Sequence, residues 1–200
     1  MKRINILILL LCATLLLSHN VKSEEIESTK NVIVMIPDGT SIGVYSAARW
    51  FKLYNNLGEG LMIDPYITGT VTTFSSNAPI GDSAPTGSTY ATGVLQQTGN
   101  VAIHPLVSDN DIFEVDASRS YQPAATILEA SKILKNKSVG LVVTSEFTHA
   151  TPADFSAHYY ARGNYDVIVP QIAYQNLDVM FGGGNSLLTD DIIKHFSNNG

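Results

Sequence analysis

Two hundred residues are enough for one globular domain or a part of a larger one. A formal net charge of -6 argues against nucleic acid as the main partner. With 44% hydrophobic and only 15% charged residues, disorder is excluded and a buried, layered core is expected.

The N-terminus reads as an export signal. Lys2 and Arg3 precede an apolar run over residues 6–17, interrupted by Thr14, and Val21-Lys22-Ser23 follows. This predicts a secretory signal peptide over 1–23, cleaved after Ser23, and a mature portion over 24–200. The run is short for a membrane span. The expected location is periplasmic or extracellular, with no span left after cleavage. Cys12 is the single cysteine and lies in the signal, so the mature portion has no disulfide and no thiolate metal site.

Asn31-Val32-Ile33-Val34-Met35-Ile36 is short, apolar and β-branched, and reads as a first buried parallel strand. Pro37-Asp38-Gly39-Thr40 breaks it. Residues 41–54 predict a helix with Val44, Ala47, Ala48 and Phe51 on its apolar side. The Thr-rich stretch 66–74 is a candidate strand. A loop and helix follow around Ser83, then a long polar connection over 96–121. Residues 122–137 predict an amphipathic helix carrying Ile127, Leu128, Ala130, Ile133 and Leu134. Val139-Gly140-Leu141-Val142-Val143 reads as a second buried strand. Residues 154–162 read as helical, as do 165–176 with a kink or restart at Pro170. Leu177-Asp178-Val179-Met180-Phe181 is a third strand, closed by Gly182-Gly183-Gly184. Residues 190–196 predict a last amphipathic helix, stopped by Ser197-Asn198-Asn199-Gly200. Alternating strands and helices predict an α/β fold with a mostly parallel sheet, in one domain.

In open α/β sheets, ligands bind beyond the carboxyl ends of the strands. Several polar residues sit at such ends. Asp38 follows the first strand, either as a turn former or cap or as a metal carboxylate. His149 and Thr151 follow the second strand. The imidazole reads as a structural hydrogen-bonding group or a ligand, and the hydroxyl as a loop group or a magnesium donor. Arg162 is either a surface guanidinium or a planar fork for two phosphate oxygens. His104 and His158 read as structural, and His19 and His195 are not candidates.

The most distinctive stretch is Gly81-Asp82-Ser83-Ala84-Pro85-Thr86-Gly87-Ser88-Thr89. Nearly all of it is small, unlike an ordinary core helix. It suits a helix start that comes close to an anion, where free N–H groups, the helix dipole and a hydroxyl converge. Small residues would leave room for a dianion. Ser83 is the candidate nucleophile, with an N-cap as its bland alternative.

Three blocks in this order resemble the alkaline phosphatase family. Val34-Met35-Ile36-Pro37-Asp38-Gly39 is similar to the family's first strand and metal-binding aspartate. Gly81-Asp82-Ser83-Ala84 with Tyr90-Ala91-Thr92-Gly93 resembles the nucleophile segment. His149-Ala150-Thr151-Pro152-Ala153 followed by Ala157-His158 and Arg162 resembles the magnesium and phosphate-arginine segment. Asp178-Val179-Met180-Phe181-Gly182-Gly183-Gly184 is a further family-like strand and turn.

The resemblance implies a three-layer α/β/α sandwich around a mostly parallel central sheet, incomplete at the C-terminus. It implies small phosphomonoester substrates, two zinc ions and a magnesium ion as cofactors, and a homodimer. Ser83 would form a phosphoserine and contact zinc. Arg162 would clamp two phosphate oxygens, oriented by Asp82. Asp38 would bridge zinc and magnesium, and Thr151 would ligate magnesium. His149 would lie beside that site, directly on zinc or through water on magnesium. Pro85 and Ser88 depart from the family's nucleophile segment, where small residues and a threonine are typical. The family's chains are also longer, and most of their zinc ligands lie in the part this sequence lacks. That leaves a truncated, inactive relative as the alternative. A phosphodiesterase of the same superfamily is less well matched, because such enzymes usually have Thr as nucleophile and lack the Arg162 equivalent.

Overall fold

A computed structural model describes residues 29–199. The expected signal peptide and Cys12 lie outside the described residues. The chain divides into two units, Met1–Ile36 and Pro37–Gly200. In the first, residues 29–36 are irregular, not the expected strand, and Ile33 is 85% exposed. β-Branched residues favour a strand only where a neighbour completes the ladder, and among the described residues none pairs with this run.

The second unit begins with α1 (Ile42–Tyr54), a helix with no buried residue, so Val44 and Phe51 are exposed instead of packed. Residues 66–74 form no strand. α2 (Ser83–Thr92) ends at Gly93, whose φ of 71° is the left-handed turn that stops a helix. α3 (Ile127–Lys135) starts later than its hydrophobic pattern suggests. Ile103 bridges Pro123, and the Ala124 N–H donates to the Ala102 carbonyl at 2.9 Å, so this part of the chain is held extended. Thr126 then opens the helix with a reciprocal cap. Its hydroxyl accepts from the Glu129 N–H, and Glu129 accepts from the Thr126 N–H.

β1 (Gly140–Glu146) and β2 (Val179–Gly183) pair in parallel, with Leu141 opposite Met180 and a register shift beyond Val142. Neither strand is buried as expected, since Val142 is 72% and Phe181 68% exposed. No layer among the described residues covers that face. A Cβ on Gly182 would come within 2.6 Å of the Val143 side chain, so glycine lets the strand ends pass closely. The Phe147 N–H donates to the Gly183 carbonyl at 3.0 Å. This contact fixes where the chain leaves the sheet for α4 (Ala150–Ser156).

α4 begins earlier than residue 154 and ends at Ser156, so Arg162 stands on a loop, not a helix. α5 (Tyr165–Tyr174) carries Pro170 internally. α6 (Asp190–Asn199) runs through Ser197 and Asn198, which were expected as a stop turn. The core lies between helices: Ala84, Val101, Phe147, Ala150, Ala153, Ala157, Ile168 and Ile172 are all buried in one cluster. The result is an α/β arrangement in which the described sheet has two strands and the helices hold most of the buried apolar surface.

Candidate active site

Asp82 is the N-cap of α2 and Ser83 its first residue. The expected N-cap alternative for Ser83 therefore falls one residue off. Asp82 makes no side-chain capping bond to its helix, and its carboxylate faces Arg162 and Ser83 instead. First-turn N–H groups have no partner inside a helix, and Pro85 has no N–H to leave unpaired. The Ser83 hydroxyl thus stands at the positive end of α2.

Arg162 Nη1 donates to Asp82 Oδ2 at 2.7 Å and to Ser83 Oγ at 2.7 Å. Ser83 Oγ lies 3.4 Å from Asp82 Oδ1, a long contact. Burial pushes the Asp82 carboxyl up, but the Arg162 hydrogen bond and the adjacent Ser83 outweigh it, and the net direction is down. Asp82 is therefore a carboxylate at neutral pH and a charged tether for the guanidinium. The loop under Arg162 is also fixed. Val101 and Tyr159 exchange backbone hydrogen bonds of 2.8 and 2.9 Å, and the Arg162 N–H donates to the Gly99 carbonyl at 2.9 Å.

Thr151 lies in the first turn of α4, and His149 is the N-cap of that helix. His149 Nε2 lies 3.4 Å from Arg162 Nη2, at the edge of the Ser83 group. Asp38 sits in the exposed turn after Pro37, and its charge reaches Asp154 on α4. Ser83, Asp82, Arg162 and His149 thus come together, while Asp38 and Thr151 make no direct contact with them in the hydrogen-bond network. Among the described residues no three His, Cys, Asp or Glu side chains converge as a metal-binding group. Two zinc sites of about four ligands each do not fit the donor set of the described residues. The oxygen donors of Asp38 and Thr151 suit magnesium.

The small residues of α2 also serve packing. Ala84, Pro85, Gly87, Ser88 and Ala91 are buried, and α2 packs mainly on α4. Their smallness lets two helices approach. The sequence reading missed Asp154, which is fully buried on α4. Its signal was a lone acid among Ala, Pro and Phe. Burial pushes its carboxyl well above the usual range, with Ser88 and Arg162 pulling the other way. His158, read as structural, donates from Nδ1 to the Ala102 carbonyl at 2.7 Å and pairs with Glu129 at 2.9 Å.

A serine hydroxyl at a helix N-terminus and a guanidinium tethered beside it thus stand together in an α/β protein. The family model for alkaline phosphatase matches residues 29–195, and the chain belongs to that family. Alkaline phosphatase 3 of Bacillus subtilis (strain 168) is 34% identical over 170 residues, covering 80% of this chain and 34% of the relative. The tissue-nonspecific alkaline phosphatase of Homo sapiens is 30% identical over 181 residues, covering 80% of this chain and 33% of the relative. Among solved structures, the cold-active alkaline phosphatase of Shewanella sp. aligns with a TM-score of 0.67 at 28% identity, covering 82% of this chain and 38% of that one. The Thermus thermophilus alkaline phosphatase shares the fold, with a TM-score of 0.64 at 24% identity over 81% of this chain and 33% of that one. The chain spans about a third of the length of the curated relatives it matches.

Proposed function

We propose that this is an exported, metal-assisted phosphatase that hydrolyses small phosphate monoesters through a phosphoserine at Ser83. The observation that carries the reading is the single guanidinium nitrogen 2.7 Å from both Ser83 Oγ and Asp82 Oδ2. A phosphoryl group lying against Ser83 meets the Arg162 fork and the first-turn N–H groups of α2 together. Arg162 binds two non-bridging oxygens, and Asp82 holds the fork at the angle that presents them. Ser83 Oγ gives up its proton to water and forms the new P–O bond as the ester P–O bond breaks, and the leaving oxygen takes a proton from water, so that the overall change moves the serine proton to the alcohol. Water then attacks the phosphoserine and releases phosphate.

Magnesium would be held by Asp38 and Thr151, with His149 beside it and not on zinc. A divalent ion bound there supplies positive charge against the developing oxyanions and acidifies nearby hydroxyls. A homodimer belongs to the same reading. The test is release of p-nitrophenol from its phosphate ester at alkaline pH, with zinc and magnesium added and then removed by chelator. Chelator-sensitive turnover and a covalent phosphate label lost in Ser83→Ala are expected. A label that survives Ser83→Ala refutes the nucleophile.

The absence of a three-donor metal cluster among the described residues favours a second reading, an inactive relative that binds phosphate or magnesium only. The turnover assay separates the two, since chelator-sensitive release of p-nitrophenol excludes an inactive relative and metal or phosphate binding without turnover supports it.

A further inference from the structure

We propose that Asp154 is a positioning residue, which through Ser88 and the gap left by Gly87 sets the spacing of α2 and α4 and so the contact between Ser83 and Arg162. The inference rests on the reading that Ser83 and Arg162 form the phosphate site.

The geometry is a buried chain of contacts. Ser88 Oγ donates to Asp154 Oδ1 at 2.7 Å, and both residues are fully buried. The same Ser88 oxygen accepts from the Ala102 N–H at 2.7 Å. Ala102 has a φ of 38°, a backbone strain that this bond helps to hold. Asp154 Oδ2 has no hydrogen-bond partner, and a Cβ added to Gly87 would fall 2.2 Å from it. That oxygen is therefore seated against the α2 backbone, where only glycine admits it.

Helical periodicity links this seat to the site. Gly87 lies four residues after Ser83, about one turn below it on the same face, and Asp154 lies three residues after Thr151. The Gly87–Asp154 seat thus sets how close the two N-terminal turns stand. Arg162 follows α4 on a loop anchored at Gly99, so its reach to Ser83 depends on that spacing. Ser88, which departs from the family's pattern in the nucleophile segment, is here the partner of Asp154.

The test reads the Arg162 guanidinium by NMR in the full chain, with its N–H signals assigned by Arg162→Lys. In the parent protein, bonds to Asp82 and Ser83 slow its hydrogen exchange. Losing one buried hydrogen bond changes the ratio of anchored to open forms by a factor of about five to ten. Asp154→Ala and Ser88→Ala are therefore expected to speed Arg162 exchange by about that factor. Asp154→Asn, which keeps the acceptor for Ser88, is expected to restore the slow signal. Backbone spectra identify folded variants, and Ser88→Ala decides the matter where Asp154→Ala does not fold. Unchanged Arg162 exchange in folded Ser88→Ala overturns the proposal, as does a signal lost equally in Asp154→Asn and Asp154→Ala. Phosphoserine labelling of the parent protein reports separately on the phosphatase reading, because the NMR signal needs no turnover.

Discussion

Gly87→Ala sets two known effects against each other. In a helix interior, alanine is favoured over glycine by about 0.8–1.0 kcal/mol. Here the new methyl would lie 2.2 Å from Asp154 Oδ2, far inside contact distance, in a fully buried place. Forcing a methyl into a packed core costs about 1–3 kcal/mol. At 2.2 Å the clash belongs at the upper end of that range, so it outweighs the propensity and a net loss of about 2 kcal/mol is expected. The assay is the urea unfolding midpoint, with the slope checked for constancy so that only stability changes. The same substitution in an Asp154→Ala background meets no oxygen and should stabilise by about 1 kcal/mol. The reversal of sign between backgrounds is the signature, since residues in contact couple by about 0.5–3 kcal/mol. If Gly87→Ala alone is as stable as the parent protein, the packing argument for α2 is refuted.

Three further outcomes follow from particular contacts. Thr126→Ala removes the hydroxyl half of the α3 cap and the bond to the Phe155 carbonyl, and should lower stability by about 1–2 kcal/mol in the same urea assay. Burial pushes the Glu129 carboxyl up, but His158, the Thr126 N–H and Gln175 outweigh it and lower it to about 2 from 4.5. Burial pulls His158 down, yet Glu129 and the Ala102 carbonyl raise it above 6.5. The Glu129 contribution is thus complete above 4.5 and lost as pH falls toward about 2, while the His158 contribution is complete below 6.5 and lost as pH rises through its folded pKa. Stability measured against pH should lose the acid slope and show a weaker His158 slope in Glu129→Gln, because the Ala102 carbonyl still holds the imidazole, and an unchanged profile contradicts the pairing. Arg162→Lys keeps the charge but not the fork, so inorganic phosphate should bind about ten-fold more weakly by 31P NMR titration. Equal binding contradicts the role given to the fork.

Local signals were read well where the chain itself satisfies them. The hydrophobic periodicity around Leu128, the strand-and-glycine pattern ending at Gly184 and the helix start at Ser83 all emerge in the fold. Expectations failed where a residue needs a neighbour. Val32 to Met35 have strand composition but no ladder among the described residues, and Val142 and Phe181 stay uncovered. The end of α4 was misplaced because Tyr159 pairs with Val101, a contact between distant segments that overrides local helix preference. The meeting of Asp82, Ser83 and Arg162 was reached through resemblance. Neither spacing nor composition could bring residues 80 positions apart to 2.7 Å. Asp154 escaped notice because an acid inside a helix usually faces water, and only packing reveals that this one does not.

On the proposed function, the tie between Asp82 and Arg162 makes the aspartate a built-in competitor for any anion that enters. An arriving phosphate must share or displace a carboxylate already bonded at 2.7 Å, while the backbone anchor at Gly99 stays in place. Anion affinity is thus discounted by the strength of that internal pair. The same discount hastens departure, because the carboxylate is always at hand to take the guanidinium back.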